Sequence, residues 1–389
     1  MSAVIVGYAR TPFVRFNGVF ASIPGTALGG YAIAAALAKA GVSPNQVQQV
    51  FAGQVLQGGA GQNPARQSAV ASGIPLTVPA LTLNAVCLSG MEAIVAGVRM
   101  IDAGEADIVV AAGQESMSLA PHAWSARAGK KYGSIEFIDT LDHDGLTDAF
   151  EHRSMGASTE DGNTELAMGR AEQDAWAAGS HAKLAAGAEF LAGEIEPVTI
   201  TGRKGDTVIS IDDGLRAETT TDTLGTLRAA FGGAGTITAG NSSQITDGAA
   251  AVILMSESAA AAAGIHGLAK IVAHAFVAGP DVSLHAQPSN AISAALAKTD
   301  YTTADLAAVE INEAFAAVSV HSTRKLGIDP QIVNANGGAI ALGHPIGASG
   351  ARIVGHLARR LEALGSGSVG AAGICGGGGQ GSAVVLVAL

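Results

Sequence analysis

The sequence has 389 residues, a length that predicts two or three domains and a large buried core. Hydrophobic residues make up 48% of it and charged residues only 14%, against about 25% in an ordinary soluble domain. This low charge content indicates that much of the surface is covered, either by a thick layered core or by other subunits. The 52 glycines follow no Gly-X-Y period, so we exclude collagen, and the apolar content excludes disorder.

The net charge of −11 excludes functions that depend on basic surfaces. With 22 basic against 33 acidic residues, the chain is poorly suited to nucleic acid, whose binding requires neutralised phosphates. No apolar run reaches the ~18 residues of a membrane span, and no basic leader precedes the strand-like run 4–6, so we expect neither a membrane anchor nor a signal peptide. Cys87 and Cys375 are expected to be free thiols of a cytoplasmic enzyme; a disulfide would need an oxidising compartment.

An internal repeat divides the chain. Residues 32–39 (AIAAALAK) recur as residues 291–298 (AISAALAK), and apolar runs that follow close at Val50 and Val309 with the same offset. Two further matches have an offset one residue larger: Ser89-Gly90 with Ser349-Gly350, and Ala111-Ala112-Gly113 with Ala371-Ala372-Gly373. Two similar halves are therefore expected to begin near the N-terminus and near residue 268.

Each half alternates helices and strands. After Gly90 the apolar stripe of an amphipathic helix runs to Gly104, and the matching helix runs from Gly350 to Gly365. The strands predicted to follow them are residues 108–112 and 369–372. This alternation predicts an α/β fold with a largely parallel sheet covered by helices, arranged as a layered core with pseudo-twofold symmetry.

A different kind of sequence lies between the halves. Residues 118–246 hold 29 of the 55 charged residues and both tryptophans, which indicates a more solvated insertion that caps a site. The predicted domains are an N-terminal half of residues 1–117 plus 247–267, an inserted loop domain of residues 118–246, and a C-terminal half of residues 268–389.

Cys87 lies in the segment N-A-V-C-L-S-G, directly before the first amphipathic helix. A thiol at a helix N-terminus is exposed to the positive end of the helix dipole, so we expect a lowered pKa and a nucleophilic thiolate. The alternative interpretation is a buried, inert small side chain.

His344 lies in a glycine-rich segment that runs from Asn336 to Gly350 and reads NGGAIALGHPIGASG. Five glycines and a proline exclude a regular helix or central strand and predict a loop where the backbone closely approaches another group. His344 could be the general base that activates a thiol, or an incidental histidine in a surface turn.

Cys375 begins the run C-G-G-G-G-Q-G, before a final strand predicted at residues 383–388. The glycines indicate backbone N–H groups that face a developing negative charge, or else a flexible turn. Binding of a dinucleotide is disfavoured because no helix follows and the required acidic partner is missing.

The segment Asn312-Glu313-Ala314-Phe315 follows an apolar run that ends at Ile311. Asn312 could orient a water or donate to an oxyanion, and Glu313 is an alternative carboxylate catalyst; a turn with a solvated glutamate is the remaining interpretation. No residues have metal-ligand spacing, so we expect no metal. Two thiols, a histidine and glycine-rich donors together favour acyl-transfer chemistry.

The four segments N-A-V-C-L-S-G, N-E-A-F, G-H-P-I-G-A-S-G and C-G-G-G-G-Q-G occur in this order and resemble those of the thiolase family. The likeness runs nearly end to end. It implies the thiolase-like core of two similar α/β halves, in α-β-α-β-α layers, with an inserted loop domain.

The resemblance implies a ping-pong mechanism without a permanently bound cofactor, in which coenzyme A thioesters are the substrates. Cys87 would attack an acyl-CoA and carry the acyl group, with His344 activating the thiol. Cys375 would exchange a proton with the α-carbon of the second acyl-CoA. Asn312, through a water, and His344 would form one oxyanion site, and the N–H groups of Cys87 and Gly377 the other.

The resemblance also implies residues that contact coenzyme A. Ser243 belongs to a pantetheine loop that begins at Ala239, and Arg216 matches a position beside the adenine. Apolar positions around the pantetheine and acyl group are matched by Leu146, Met155, Phe231 and Phe315. Ser154 stands where short-chain members often have a histidine, which bears on how the thioester oxygen is held and on acyl preference.

Residues 113–118 (GQESMS) and the stretch 138–150 are similar to biosynthetic acetoacetyl-CoA thiolases, in which a tetramerisation loop precedes the second stretch. This implies acetyl-CoA C-acetyltransferase activity and a homotetramer built as a dimer of dimers. The alternatives are a degradative 3-ketoacyl-CoA thiolase, a non-catalytic carrier of CoA esters or lipids, and a decarboxylating ketoacyl synthase, which would need a second catalytic histidine at Asn312.

Overall fold

The computed structural model describes residues 3–203 and 205–389. Its strands are β1 (Ala3–Arg10), β2 (Val14–Arg15), β3 (Gln49–Gly53), β4 (Ala80–Leu83), β5 (Ile108–Glu115), β6 (His122–Ala123), β7 (Ile138–Asp139), β8 (Val198–Ile200), β9 (Thr207–Ile209), β10 (Thr246–Ser256), β11 (Ala269–Ala278), β12 (Leu306–Ile311), β13 (Val369–Gly376) and β14 (Gln380–Ala388). Its α-helices are α1 (Gly25–Ala40), α2 (Pro64–Ala71), α3 (Ser89–Asp102), α4 (Met155–Glu165), α5 (Arg170–Ala186), α6 (Ala188–Ala192), α7 (Thr221–Gly225), α8 (Glu257–Ala263), α9 (Gln287–Leu296), α10 (Ala316–Leu326), α11 (Ala339–Leu342) and α12 (Ser349–Leu364).

The main sheet confirms the two similar halves. Its strand order is β12-β13-β14-β11-β1-β10-β5-β3-β4, with β2 paired to β10. From the centre of the sheet outward, the strand order β1-β10-β5-β3 in one half matches the order β11-β14-β13-β12 in the other. The halves meet where β1 and β11 pair antiparallel, Val4 opposite Lys270 and Ile5 opposite Ala269.

The prediction of a largely parallel sheet is wrong. Among the described residues, only β3 with β4, β3 with β5 and β12 with β13 pair in parallel, and the other ladders of the main sheet are antiparallel. The reason is local in the second half, where three residues join β13 to β14 and force a hairpin. In the first half, the chain returns from residues 118–246 as β10 and runs antiparallel between β5 and β1.

The strands alternate their side chains between two apolar layers, as expected for a sheet covered on both faces. Ile5 packs into a central layer with α3 and α12, whereas Val4 and Val6 pack against α1 on the outer side. In the second half α9 covers the outer face. The layers therefore run α1, sheet, α3 with α12, sheet, α9, which confirms the α-β-α-β-α core.

The repeated Ser-Gly pairs lie where α3 and α12 touch. A Cβ at Gly90 would come within 2.7 Å of the Gly347 carbonyl oxygen, and a Cβ at Gly350 within 2.4 Å of the Met91 backbone nitrogen. Only glycine permits this approach, because the obstructing atoms are backbone. The two helix N-termini, and the loops that precede them, are thereby brought together.

Residues 118–246 attach to the core through buried charges. At the end of β1, Arg10 donates from Nε to Glu194 at 2.7 Å and from its two terminal nitrogens to Asp212 at 2.6 and 2.8 Å. His356 on α12 lies 2.9 Å from the second oxygen of Glu194. Within the described ranges, no helix is both long enough and apolar enough to cross a membrane.

Candidate active site

A cavity of about 260 Å³ lies between the core and residues of the 118–246 segment. It brings together most of the residues singled out from the sequence: Cys87, Leu146, Met155, Phe231, Ser243, Phe315, His344, Cys375 and Gly377. Three other predicted site residues do not line the cavity. Asn312 is buried behind the cavity, and Ala239 and Arg216 are exposed.

Cys87 is presented by a tight turn before α3. Val86 adopts a φ of 52°, in the left-handed region that β-branched residues avoid. Side chains brace the turn: Asn84 Oδ1 accepts from the Val86 N–H at 3.0 Å, and Ser89 Oγ accepts from the Ala85 N–H at 2.9 Å. The strained residue is therefore held in place immediately before the thiol, as is common at functional sites.

The expectation of a lowered thiol pKa at Cys87 is wrong. Burial raises the pKa of Cys87 to about 12, although the N–H groups of Gly377 and of Cys87 itself donate to the sulfur and oppose the rise. The negative charge of Glu115 raises it further. Desolvation outweighs the helix terminus because the thiol is almost fully enclosed, so the resting group is a thiol that needs a base.

His344 is a buried candidate for that base, which excludes the surface-turn interpretation. Its Nδ1 lies 2.6 Å from Ser349 Oγ, and this hydroxyl donates to the Pro345 carbonyl at 3.1 Å. The hydroxyl therefore accepts from Nδ1–H, which assigns the lone pair to Nε2. Burial, and secondarily the charge of Arg352, lower the pKa of His344 to about 3, so the ring is neutral and can accept a proton.

Cys375 is completely buried at the end of β13. Burial raises the pKa of its thiol well above the ordinary value, and the nearby Cys87 raises it further. Both cysteines are free within the described part of the chain. The glycine run after Cys375 makes the turn to β14, with Gly378 and Gly379 at φ values of 75° and 67°, and presents the Gly377 N–H to Cys87.

Asn312 follows β12 and touches His344 from behind the cavity. Its Nδ2 lies 3.5 Å from Nε2 of His344, and its Oδ1 is buried without a hydrogen-bond partner among the described residues. An unpaired buried amide oxygen is costly unless a water or ligand satisfies it. This geometry fits a water-binding amide.

Glu313 does not line the cavity, and it is not solvated. Its carboxylate is buried and accepts four hydrogen bonds, from Trp176 Nε1, Ser180 Oγ, Asn334 Nδ2 and the Ile340 N–H. Both earlier interpretations of Glu313 are therefore wrong, since it ties α5 to the segment that leads to His344.

The outer cavity wall is largely apolar. Phe231 and Phe315 meet edge to face with ring centroids 6.2 Å apart, and the Met155 sulfur lies near Gly377. Ser243 donates its N–H to the Ala314 carbonyl at 3.0 Å. Ser154 also lines the cavity, where its Oγ accepts from the Ala157 N–H at 3.2 Å and caps α4.

Glu115, in the GQESMS segment, is a buried neighbour of the site that was not among the predicted site residues. It accepts backbone N–H groups from Val55, Leu56 and Gly347 at 3.0 to 3.1 Å. The sequence feature that could have identified Glu115 is its position, because it is a charged residue at the end of the apolar strand β5. Charged residues are seldom buried without a specific role.

Comparison with known proteins agrees with this geometry. The family described as "Thiolase, N-terminal domain" matches residues 3–258, and "Thiolase, C-terminal domain" matches residues 265–388. A probable acetyl-CoA acetyltransferase of Mycolicibacterium smegmatis is 52% identical over 98% of this chain and 100% of that protein. An acetyl-CoA acetyltransferase of Shinella zoogloeoides is 43% identical over 100% of this chain and 99% of that protein.

A solved structure gives the same result for the fold. The crystal structure of the Bacillus anthracis acetyl-CoA acetyltransferase superposes with a TM-score of 0.96 at 35% identity, covering 100% of this chain and 99% of that one. The paired halves, the enclosed thiols and histidine, and these full-length matches agree. The chain belongs to the thiolase family of acyl-transferring enzymes.

Proposed function

We propose that this chain is an acetyl-CoA C-acetyltransferase that catalyses the reversible Claisen condensation of two acetyl-CoA molecules to acetoacetyl-CoA and CoA. The observation that carries the proposal is that Cys87, His344 and Cys375 share one enclosed cavity. The names of the full-length relatives support acetyl-CoA as substrate.

In the first half-reaction, the Cys87 sulfur attacks the thioester carbonyl while its proton passes to Nε2 of His344. The N–H groups of Cys87 and Gly377 stabilise the oxyanion, and CoA thiolate leaves. Cys375 protonates the departing thiolate, so that CoA is released as a thiol. The enzyme is left with an acetyl group on Cys87, a Cys375 thiolate and protonated His344.

In the second half-reaction, the Cys375 thiolate removes an α-proton from a second acetyl-CoA. The enolate oxygen is stabilised by protonated His344 and by a water held on Asn312. The α-carbon attacks the acetyl group, and the Cys87 thiolate leaves and recovers its proton from His344. Cys87, Cys375 and His344 all end in their starting protonation states, because the α-proton taken by Cys375 replaces the one that left with CoA, and the reaction can therefore run in reverse as thiolysis.

The remaining assignments extend this proposal to binding and assembly. Residues 118–246 would cap the site, with Ser243 and Ala239 on the pantetheine path and Arg216 beside the adenine. We propose a cytoplasmic homotetramer. Its support is a set of exposed apolar residues on and around the β6–β7 hairpin: Leu119, Trp124, Tyr132, Phe137 and Ile138.

A degradative 3-ketoacyl-CoA thiolase is the second candidate. The observation that favours it is Ser154, a small residue in the cavity wall whose hydroxyl is occupied in capping α4. A small side chain there leaves more room for the acyl chain than a histidine does.

The deciding experiment compares CoA-dependent thiolysis of acetoacetyl-CoA with that of a long-chain 3-ketoacyl-CoA, with Cys87→Ser as the blank. We expect a strong preference for acetoacetyl-CoA. Equal or better use of the long chain would move the protein to the degradative class. Binding of CoA esters without turnover of either substrate would indicate a carrier.

A further inference from the structure

Glu115 is a completely buried carboxylate that lies outside the cavity lining. Its Oε1 accepts the Leu56 N–H at 3.1 Å, and its Oε2 accepts the N–H groups of Val55 and Gly347, both at 3.0 Å. These donors belong to two separate segments: the loop after β3 and the loop before α12.

Each segment leads by hydrogen bonds or along the chain to a reacting group. The Val55 carbonyl accepts from Asn84 Nδ2 at 3.3 Å, and Asn84 Oδ1 accepts the Val86 N–H at 3.0 Å, in the turn that presents Cys87. On the other side, Gly347 lies three residues after His344 in the same loop. One carboxylate is thus connected to both reacting side chains.

We propose that Glu115 is a positioning residue for acyl transfer, whose carboxylate fixes the Cys87 turn and the His344 loop relative to each other. The inference rests on the proposed function. This role requires the ionised form of Glu115, because only a carboxylate presents nothing but hydrogen-bond acceptors to the three converging N–H donors. A protonated carboxyl or an amide directs a hydrogen toward at least one of them, and the two loops then separate.

The environment of Glu115 gives this role a pH signature. Burial raises its pKa to about 7; the three N–H donors oppose the rise, and the charge of Asp247 on β10 adds to it. The other titratable groups nearby are Cys87, which Glu115 itself influences, and His344 in the loop before α12. Since the pKa of His344 is about 3, loss of acylation below neutral pH is expected from Glu115 and not from His344.

The test compares Glu115→Gln with Glu92→Gln. Glu92 is a matched control, since it is a half-buried carboxylate on α3 whose pKa is also raised by burial, but it accepts from Ser382 and contacts neither loop. Acetylation of Cys87 by acetyl-CoA is followed by rapid quench and mass spectrometry from about pH 5.5 to 8.5, together with kcat and KM for acetoacetyl-CoA thiolysis.

We expect Glu115→Gln to lower the acetylation rate and kcat about 100-fold with little change in KM, because misplacement of reacting groups by about 1 Å has an effect of this size. In the unmodified enzyme the acetylation rate should fall as the pH drops below neutral, and this acid limb of the pH profile should be absent from Glu115→Gln. Glu92→Gln should keep both the acetylation rate and the acid limb. A merely structural role would lower the rate and leave the limb in place.

Four results would overturn the inference. Glu115→Gln could acetylate as fast as Glu92→Gln, or it could be slow with its acid limb intact; in both cases acetylation by the unmodified enzyme leaves the proposed function standing. If Glu115→Gln does not fold, the pH profile of the unmodified enzyme is the test. An acetylation rate that stays constant across that pH range then overturns the inference. No acetylation of the unmodified enzyme would overturn the proposed function as well.

Discussion

Cys87 and His344 form a neutral pair at rest, because one cause shifts their two pKa values in opposite directions. Burial raises the pKa of the thiol to about 12 and lowers that of the imidazole to about 3. Desolvation disfavours the charged form of either group. Proton transfer from sulfur to nitrogen is therefore unfavourable until attack on a carbonyl spreads the negative charge onto an oxygen that backbone N–H groups can stabilise.

Cys375→Ser is expected to separate the two half-reactions. Cys87 and His344 remain, so the variant should still form an acetyl-enzyme when mixed with acetyl-CoA. A serine hydroxyl is too weak an acid and base to exchange the α-proton, so kcat for condensation should fall by roughly 10²- to 10⁴-fold. Intact-protein mass spectrometry detects the trapped acetyl group, and steady-state kinetics give kcat.

Cys87→Ser is the matched control for that experiment, because it makes the same atom change at the other thiol. It should show neither acetyl-enzyme nor turnover. Acetylation that persists in Cys87→Ser, or none in Cys375→Ser, would contradict the assignment of nucleophile and proton carrier.

Residue types and their local motifs predict which side chains share the cavity, but not the state of those side chains. Cys87, His344 and Cys375 lie in it because each lies at or near the end of a regular element: Cys87 before α3, His344 before α12 and Cys375 at the end of β13. Their pKa values depend on enclosure by distant segments, so the position of Cys87 before a helix does not predict the direction in which its pKa shifts. The burial of Glu313 and the contacts of Glu115 likewise depend on partners far along the chain.

At the scale of elements, the site depends on how closely α3 and α12 approach. Gly90 and Gly350 remove the side chains that would hold the helices apart, and the Gly347 carbonyl lies directly against Gly90. Cys87 and His344 lie within a few residues of this contact. A change in helix separation therefore alters the distance between the thiol and its base.

Gly90→Ala is expected to lower both stability and activity. Its Cβ would lie 2.7 Å from the Gly347 oxygen and 2.8 Å from the Ala351 nitrogen, so the helices must move. Overpacking of this kind costs about 1–3 kcal/mol. Denaturant unfolding measures the free energy of unfolding, and thiolysis assays measure the accompanying fall in kcat.

Gly179→Ala is the control, since Gly179 also lies inside a helix, α5, but a Cβ there meets nothing within 4 Å. It should stabilise the protein by about 0.5–1 kcal/mol through helix propensity and leave kcat unchanged. Equal stability of the two variants would show that the α3–α12 contact tolerates a methyl group.

The helices were more predictable than the sheet for a physical reason. The apolar stripes of α3 and α12 are periodic patterns within a single short stretch of sequence. The direction of a strand relative to its neighbours depends instead on which distant strand pairs with it. The positions of β10 and β14 between their neighbours follow from the long excursion through residues 118–246 and from the short turn after Cys375. Neither feature has a periodic signature.

At the scale of the whole molecule, the 118–246 segment is attached to both halves by one buried ionic cluster. Glu194 accepts from Arg10 on β1 and lies against His356 on α12, while Asp212 holds the other end of Arg10. Burial by itself would raise the pKa of Glu194, but His356 and Arg10 hold it well below its ordinary value of 4.5. The ionised carboxylate therefore stabilises the attachment of the segment to the core.

Glu194→Gln is expected to destabilise the protein by about 3–5 kcal/mol at pH 7, because it removes one partner of a buried ion pair. A carboxylate whose folded-state pKa is depressed contributes stability that is present above its unfolded pKa and lost as the pH falls below it. The difference between the unmodified protein and the variant should therefore be largest near pH 7 and shrink as the pH falls below 4.5, the ordinary value for this group. Denaturant unfolding at matched protein concentration measures this difference at each pH.

Glu257→Gln, which removes a partly exposed pair with Lys270, should change stability by no more than about 1 kcal/mol. A Glu194→Gln penalty that stays constant with pH would show that packing around Glu194, and not its charge, joins the segment to the core.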